Sequence, residues 1–116
     1  MWDQLCKARS PDEAIKIQDS VFSILEGYES EGVDQCVLLP GCREVLDWLQ
    51  SMIIKIGLAT SNSQTVAERV LELNGIRHYF NAIVGRSPRL RMKPHPDQII
   101  HCFIKMKIDP SKGLVV

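Results

Sequence analysis

Apolar residues recur at helical spacing from Ala14 to Tyr28, with Ala14, Ile17, Val21, Ile24 and Tyr28 forming a stripe that Ile15, Phe22 and Leu25 widen. Ser10-Pro11-Asp12-Glu13 opens this helix: Ser10 suits the cap, Pro11 the first turn, and Glu13 completes a capping box. The helix should fade between Gly27 and Gly32, and its apolar face calls for a partner. After Pro40-Gly41, Cys42 to Ser51 reads as a short helix with Val45, Leu46 and Leu49 inward. Met52 to Ala59 is apolar apart from Lys55, and its β-branched Ile53, Ile54 and Ile56 predict a strand buried on both faces. Ser63 then caps a helix running to about Leu73, with Val66, Val70, Leu71 and Leu73 apolar, and Asn74-Gly75 stops it. Asn81 to Gly85 is a short strand. Pro96 starts another helix, with Ile99, Ile100, Phe103 and Ile104 facing the core, and Gly113 to Val116 begins a third strand.

Strands alternating with helices from Cys42 onward predict an α/β fold, a partial Rossmann-like open parallel sheet of three strands with crossover helices. Residues 1–39 divide from residues 40–116 at Pro40-Gly41. A parallel sheet places its ligands beyond the carboxyl ends of its strands, which makes the residues after Ala59 and Gly85 the ones to inspect.

Composition adds a polarity to this picture. Hydrophobic content of 45% and charged content of 24% are globular values. Residues 1–39 hold eight acids and three bases, whereas residues 40–116 hold six acids and eleven bases. The second part favours an anionic ligand, and the first argues against nucleic acid or an anionic membrane as a partner. Cys6, Cys36, Cys42 and Cys102 show no C-x-x-C spacing, so reduced thiols are expected rather than a metal or redox motif. No apolar stretch approaches the roughly 20 residues of a membrane span, and Met1 begins no basic-then-apolar leader. The setting expected from these features is cytoplasmic.

The candidate chemistry lies in two segments. Thr60-Ser61-Asn62-Ser63 follows a strand and precedes a helix, where backbone N–H groups and the helix dipole attract anions and hydroxyl and amide side chains add donors. The same residues would equally serve as plain capping. Lys93, in Arg91-Met92-Lys93-Pro94-His95-Pro96-Asp97, falls in a loop after the second strand, facing the same sheet edge. A lysine there neutralises phosphate charge; the alternative is a solvated side chain. Arg86, Arg89 and Arg91 read as a basic, solvated loop, with ligand contact as the alternative, and His78, His95 and His101 lack metal spacing.

From Leu38 onward the chain resembles the haloacid dehalogenase superfamily, in the helical-cap branch that includes phosphoglycolate phosphatase and β-phosphoglucomutase. The matching text is Leu39-Pro40-Gly41, Ile56-Gly57-Leu58-Ala59-Thr60-Ser61-Asn62, Tyr79-Phe80-Asn81-Ala82-Ile83-Val84-Gly85, Lys93-Pro94-His95-Pro96-Asp97 and Gly113-Leu114-Val115-Val116, in that order. The resemblance makes residues 1–39 a helical cap remnant and residues 40–116 a partial core. It implies phosphoryl transfer to an aspartate on a small phosphorylated metabolite, with magnesium as cofactor. Thr60 matches the family's second-motif hydroxyl and Lys93 its third-motif lysine; Ser61 and Asn62 offer further phosphate donors.

Two family elements are missing from these residues. No D-x-D sequence, the family's source of nucleophile and general acid, occurs in the chain. The acidic magnesium ligands would follow Val116. The family's nucleophile strand also lies between the Thr60 strand and the one starting at Gly113. Without it a gap of two strand spacings of about 4.8 Å opens, so either the polypeptide is longer than these residues, or a homo-oligomer or strand-donating partner chain supplies the strand, or the sheet rearranges. The expectation is therefore a phosphatase or phosphomutase chain inactive alone. The alternative is a non-catalytic relative that binds phosphate or a partner protein.

Overall fold

The computed structural model describes residues 10–116. Cys6, one of the four cysteines, lies outside the described residues. The first element, α1 (Pro11–Glu31), begins as its sequence dictates: Ser10 Oγ accepts from the Glu13 N–H at 3.3 Å, and Asp12 and Glu13 sit in the first turn, where the helix dipole favours acids. A 3-10 turn at Val33–Gln35 leads towards α2 (Cys42–Ser51). Strand β1 (Gly57–Ser63), helix α3 (Gln64–Leu73), strand β2 (Ala82–Arg86) and helix α4 (Asp97–Met106) follow.

The two strands pair in parallel, with α3 in the connection between them. Gly57, Leu58 and Ala59 stand opposite Ala82, Ile83 and Val84 in turn; the next pairing is Ser63 with Arg86. Thr60, Ser61 and Asn62 therefore occupy a stretch of β1 where β2 supplies only Gly85. Such a bulge bends a strand and re-aims its side chains. The starts of the strands are fixed by Asn81, whose N–H donates to the Ile56 carbonyl at 2.7 Å and whose Oδ1 accepts from the Ile56 N–H at 2.9 Å.

Alternation along β2 builds a core on each face of the sheet. Ile83 packs with Leu46, Ala67, Leu71, Ile76 and Tyr79 on the side of α2 and α3. Ala82 and Val84 pack with Cys102, Phe103 and Met106 of α4 on the other. All five residues of β2 are buried. Helix α3 ends as its sequence predicts, with Gly75 at φ +69 and Arg43 capping the exposed carbonyls of Asn74 at 2.6 Å and Gly75 at 3.4 Å.

The α/β class and the parallel pairing match the sequence expectation, but the strands differ in number and position. Gly113–Val116 forms no strand, so the sheet has two strands among the described residues instead of three. Met52–Ala59 is not a strand buried on both faces. The N–H groups of Met52, Ile53 and Ile54 instead return to carbonyls of α2. Ile53 sits at φ +58 and is 93% exposed. The strand starts later, at Gly57, and runs into the hydroxyl residues.

The inward faces of three helices also differ from the periodicity. Val45, Ile100 and Ile104 are exposed, while Gln98 is buried. In α1 only Ala14 of the apolar stripe is buried; Ile15, Val21, Ile24, Leu25 and Tyr28 face outward. The helix docks through Ala14, Gln18, Phe22, Glu26 and Glu29, a face of mixed chemistry at helical spacing.

Candidate functional site

The bulge of β1 brings the predicted residues to one place. Thr60 is half-buried, and Ser61, Asn62 and Lys93 are exposed at the carboxyl end of the sheet. Lys93 Nζ donates to the Ala59 carbonyl at 3.3 Å, immediately before Thr60. Thr60 Oγ1 accepts from the Asn62 N–H at 3.2 Å, an internal turn that draws the loop tight. Ser63 acts as the cap of α3, its Oγ accepting from the Val66 N–H at 3.2 Å. The capping reading of Ser63 and the clustering of Thr60 to Asn62 with Lys93 thus hold together.

The carbonyls of Ala59, Thr60 and Ser61 are each held by a different side chain. Besides Lys93 on Ala59, Gln98 Nε2 donates to the Thr60 carbonyl at 2.8 Å and an Arg86 guanidinium nitrogen to the Ser61 carbonyl at 2.8 Å. Gln98 is 1% exposed and also donates to the Gly85 carbonyl at 3.0 Å, tying the ends of both strands to the first turn of α4. These two donations fix the orientation of its amide and leave Oε1 buried without a partner among the described residues. Gln64 completes the frame: its Nε2 donates to the Ile83 carbonyl at 3.0 Å and its Oε1 accepts from the Gly85 N–H at 2.7 Å.

The loop bearing Lys93 is closed by Arg91 and Asp97. The backbone N–H and Nε of Arg91 both donate to Asp97 Oδ2, and a terminal guanidinium nitrogen donates to Oδ1, each at 2.9 Å. The peptide bond between Lys93 and Pro94 within it is cis. The Arg91 side chain, then its backbone N–H, lower the Asp97 carboxyl from 3.8 to about 2. A depressed carboxyl adds stability above its unfolded pKa of 3.8 and loses it as pH falls through about 2. The Lys93 loop should therefore stay stitched at pH 4 and open only in stronger acid. Carboxyl NMR of Asp97 is expected to give a midpoint near 2; a midpoint near 4 would contradict the bidentate geometry.

Sequence reasoning placed Arg86 in a solvated basic loop, and the structure corrects this. The Arg86 side chain is 4% exposed and pairs with Glu29 of α1, 19% exposed, at 2.6 Å. Its guanidinium lies 4.9 Å from the centre of the Phe22 ring. Glu29 Oε2 accepts from the Ser63 N–H at 3.1 Å. Burial alone would raise the Glu29 carboxyl, but hydrogen bonds from Arg86 and Ser63 with the Arg86 charge outweigh it and leave it lowered. A buried arginine at the end of an apolar strand needs a carboxylate, and that was the one available signal. A cleft of about 270 Å³ opens beside this pair, lined by Asp19, Phe22, Ser23 and Glu26 of α1 with Ser63, Arg86 and Pro88.

The remaining candidates stay apart from this cluster. Arg89 is exposed, and His78 stacks on Tyr79 with ring centres 4.2 Å apart. Cys36, Cys42 and Cys102 are unpaired thiols. Among the described residues no group of three or more His, Cys, Asp or Glu side chains gathers to hold a metal ion, and no helix is long and apolar enough to cross a membrane.

Comparison with known proteins gives the family of the chain. The sequence profile of the haloacid dehalogenase-like hydrolases matches residues 6–116. A haloacid dehalogenase-like hydrolase domain-containing protein of Arabidopsis thaliana is 31% identical over 107 residues, which cover 92% of this chain and 41% of that protein. Hexitol phosphatase B of Escherichia coli K12 is 32% identical over 103 residues, covering 89% of this chain and 46% of the relative. A phosphoglycolate phosphatase of Nitrosococcus oceani is 30% identical over 79 residues, 68% of this chain and 35% of the relative. The chain thus spans less than half the length of these relatives. With its profile match running almost end to end, the chain belongs to the haloacid dehalogenase-like hydrolase family.

Proposed function

We propose that Thr60, Ser61, Asn62 and Lys93 grip the phosphoryl group of a small phosphorylated metabolite in a phosphatase or phosphomutase site. The observation that carries this reading is the approach of Lys93 Nζ to the Ala59 carbonyl, across 34 residues of sequence, at the carboxyl end of a parallel sheet. The lysine offsets phosphate charge as a charge-assisted donor. The hydroxyls of Thr60 and Ser61 and the amide of Asn62 supply neutral donors beside it. Relatives named hexitol phosphatase and phosphoglycolate phosphatase support the phosphate-ester class.

These residues provide binding and charge stabilisation, not the attacking group. A carboxylate that attacks phosphorus, giving an acyl phosphate for water to hydrolyse, has no D-x-D source in these 116 residues. The family implies magnesium, but the described residues bring together no carboxylate set that fits it, and no step here runs through a metal. For these 116 residues alone the expected result is saturable binding of inorganic phosphate with no hydrolysis of p-nitrophenyl phosphate above background. Failure to bind phosphate would overturn the reading. Hydrolysis by the chain alone would overturn the division of labour.

A second reading is a non-catalytic relative that binds phosphate or a partner protein with the same residues. It differs in one outcome: no added strand or chain bearing a carboxylate nucleophile would restore turnover.

A further inference from the structure

We infer that Arg86 and Glu29 are positioning residues for the phosphate-gripping bulge, and that through them helix α1 fixes the shape of that bulge. The inference rests on the phosphate-binding reading above and names residues that reading leaves unused. Arg86 and Glu29 lie 57 positions apart and meet at 2.6 Å, the arginine buried and the carboxylate half-buried. Each then spends a second contact on the backbone of the bulge. Arg86 donates to the Ser61 carbonyl at 2.8 Å, and Glu29 accepts from the Ser63 N–H at 3.1 Å. The two contacts bracket Asn62 from either side.

The pair's other contacts make it rigid. A second guanidinium nitrogen of Arg86 lies 3.3 Å from Glu29 Oε2, giving a two-pronged bridge, and Phe22 lies against the guanidinium from the same helix. A buried ion pair is weak as a source of net stability, because desolvation offsets attraction. It is effective at setting geometry, because a planar fork permits few orientations. Between Ala59 and Ser63 the ladder with β2 is interrupted, so side chains hold the bulge: Lys93 at Ala59, Gln98 at Thr60, Thr60 Oγ1 at the Asn62 N–H, and this pair at Ser61 and Ser63. The shape of Ser61–Ser63 is thus set by side chains reaching in from β2 and α1.

Neither residue touches the bound anion in this scheme, so their effect passes through the backbone of Ser61 and Ser63. Loosening the bulge by a fraction of an ångström degrades the convergence of donors on which anion binding depends.

The test uses the 116-residue protein, with inorganic phosphate as ligand and amide NMR as the readout. Arg86→Ala, Arg86→Lys and Glu29→Gln are compared with the parent. Arg86→Ala should move the Ser61, Asn62 and Ser63 amide resonances and weaken phosphate binding by about tenfold or more. Arg86→Lys keeps the charge but not the fork and should recover only part of the loss. Millimolar guanidinium ion, added to Arg86→Ala, should restore affinity where methylammonium does not. If Arg86→Ala fails to fold, Glu29→Gln, which keeps size and one acceptor, should still displace the Ser63 amide and weaken phosphate.

Unchanged Ser61–Ser63 resonances in a folded variant overturn the inference, as does parent-like phosphate affinity. Tighter phosphate binding in Glu29→Gln also overturns it, by making Glu29 a competitor for the anion site. If the parent binds no phosphate, the proposed function fails. The positioning claim is then decided by the amide shifts alone.

Discussion

Lys93→Ala is expected to abolish measurable binding of inorganic phosphate to this chain. In any form of the protein that hydrolyses phosphate esters, it should lower turnover by about 10²–10³-fold. The magnitude follows from position. Lys93 is exposed and, among the described residues, makes one side-chain hydrogen bond, to the Ala59 carbonyl at 3.3 Å, so the fold loses little when it is truncated. The loop around it remains closed by the three hydrogen bonds between Arg91 and Asp97. What disappears is an exposed positive charge at the Ala59 carbonyl, next to Thr60, and a charge-assisted hydrogen bond contributes about 1.5–3 kcal/mol. Thermal unfolding of the variant should match the parent while phosphate titration shows no saturation. Parent-like phosphate affinity would mean that Lys93 is a solvated surface lysine.

Gly85→Ala should be the most damaging small change to the frame, costing about 2–3 kcal/mol. A methyl group at Gly85 would stand 2.4 Å from Gln64 N, 2.5 Å from Gln64 Cα and 2.9 Å from Ser63 C. These are backbone atoms of the first turn of α3, so no side-chain rotation relieves the contact. Either β2 moves away from α3 or the turn shifts, and both break the 2.7 Å hydrogen bond from the Gly85 N–H to Gln64 Oε1. The shift also passes to Ser63, the cap of α3 and the end of the bulge. Urea unfolding should show the loss in the midpoint with little change in slope. A change below about 0.5 kcal/mol, the scale of a neutral surface substitution, would contradict the close packing.

Features decided by neighbouring residues were legible in the sequence. Ser63 as cap, Cys42–Ser51 as a helix and Asn74-Gly75 as a stop all follow from local chemistry, and the structure repeats them. The approach of Lys93 to the Ala59 carbonyl, just before Thr60, was legible because a parallel sheet sends the loops after its strands to the same edge. Ile53 and Ile54 misled because β-branching marks a strand only where neighbours bury it. Here their N–H groups are taken by the last carbonyls of α2, and β1 begins at Gly57 instead.

Distant partners were not legible. Nothing near Arg86 in sequence announces Glu29, and nothing near Gln98 announces the Thr60 and Gly85 carbonyls. The outward apolar stripe of α1 has the same origin. Arg86 gives the helix a charged anchor at Glu29, and that anchor together with Phe22 sets which face turns to the sheet.

The most direct test of the central claim is a residue-resolved NMR titration of the 116-residue chain with inorganic phosphate. Saturable shifts confined to the Thr60–Ser63 amides and the Lys93 side chain, lost in Lys93→Ala, are the predicted result. Shifts spread over surface lysines and arginines, or none at Thr60–Ser63, would contradict a phosphate-gripping site at the end of this sheet.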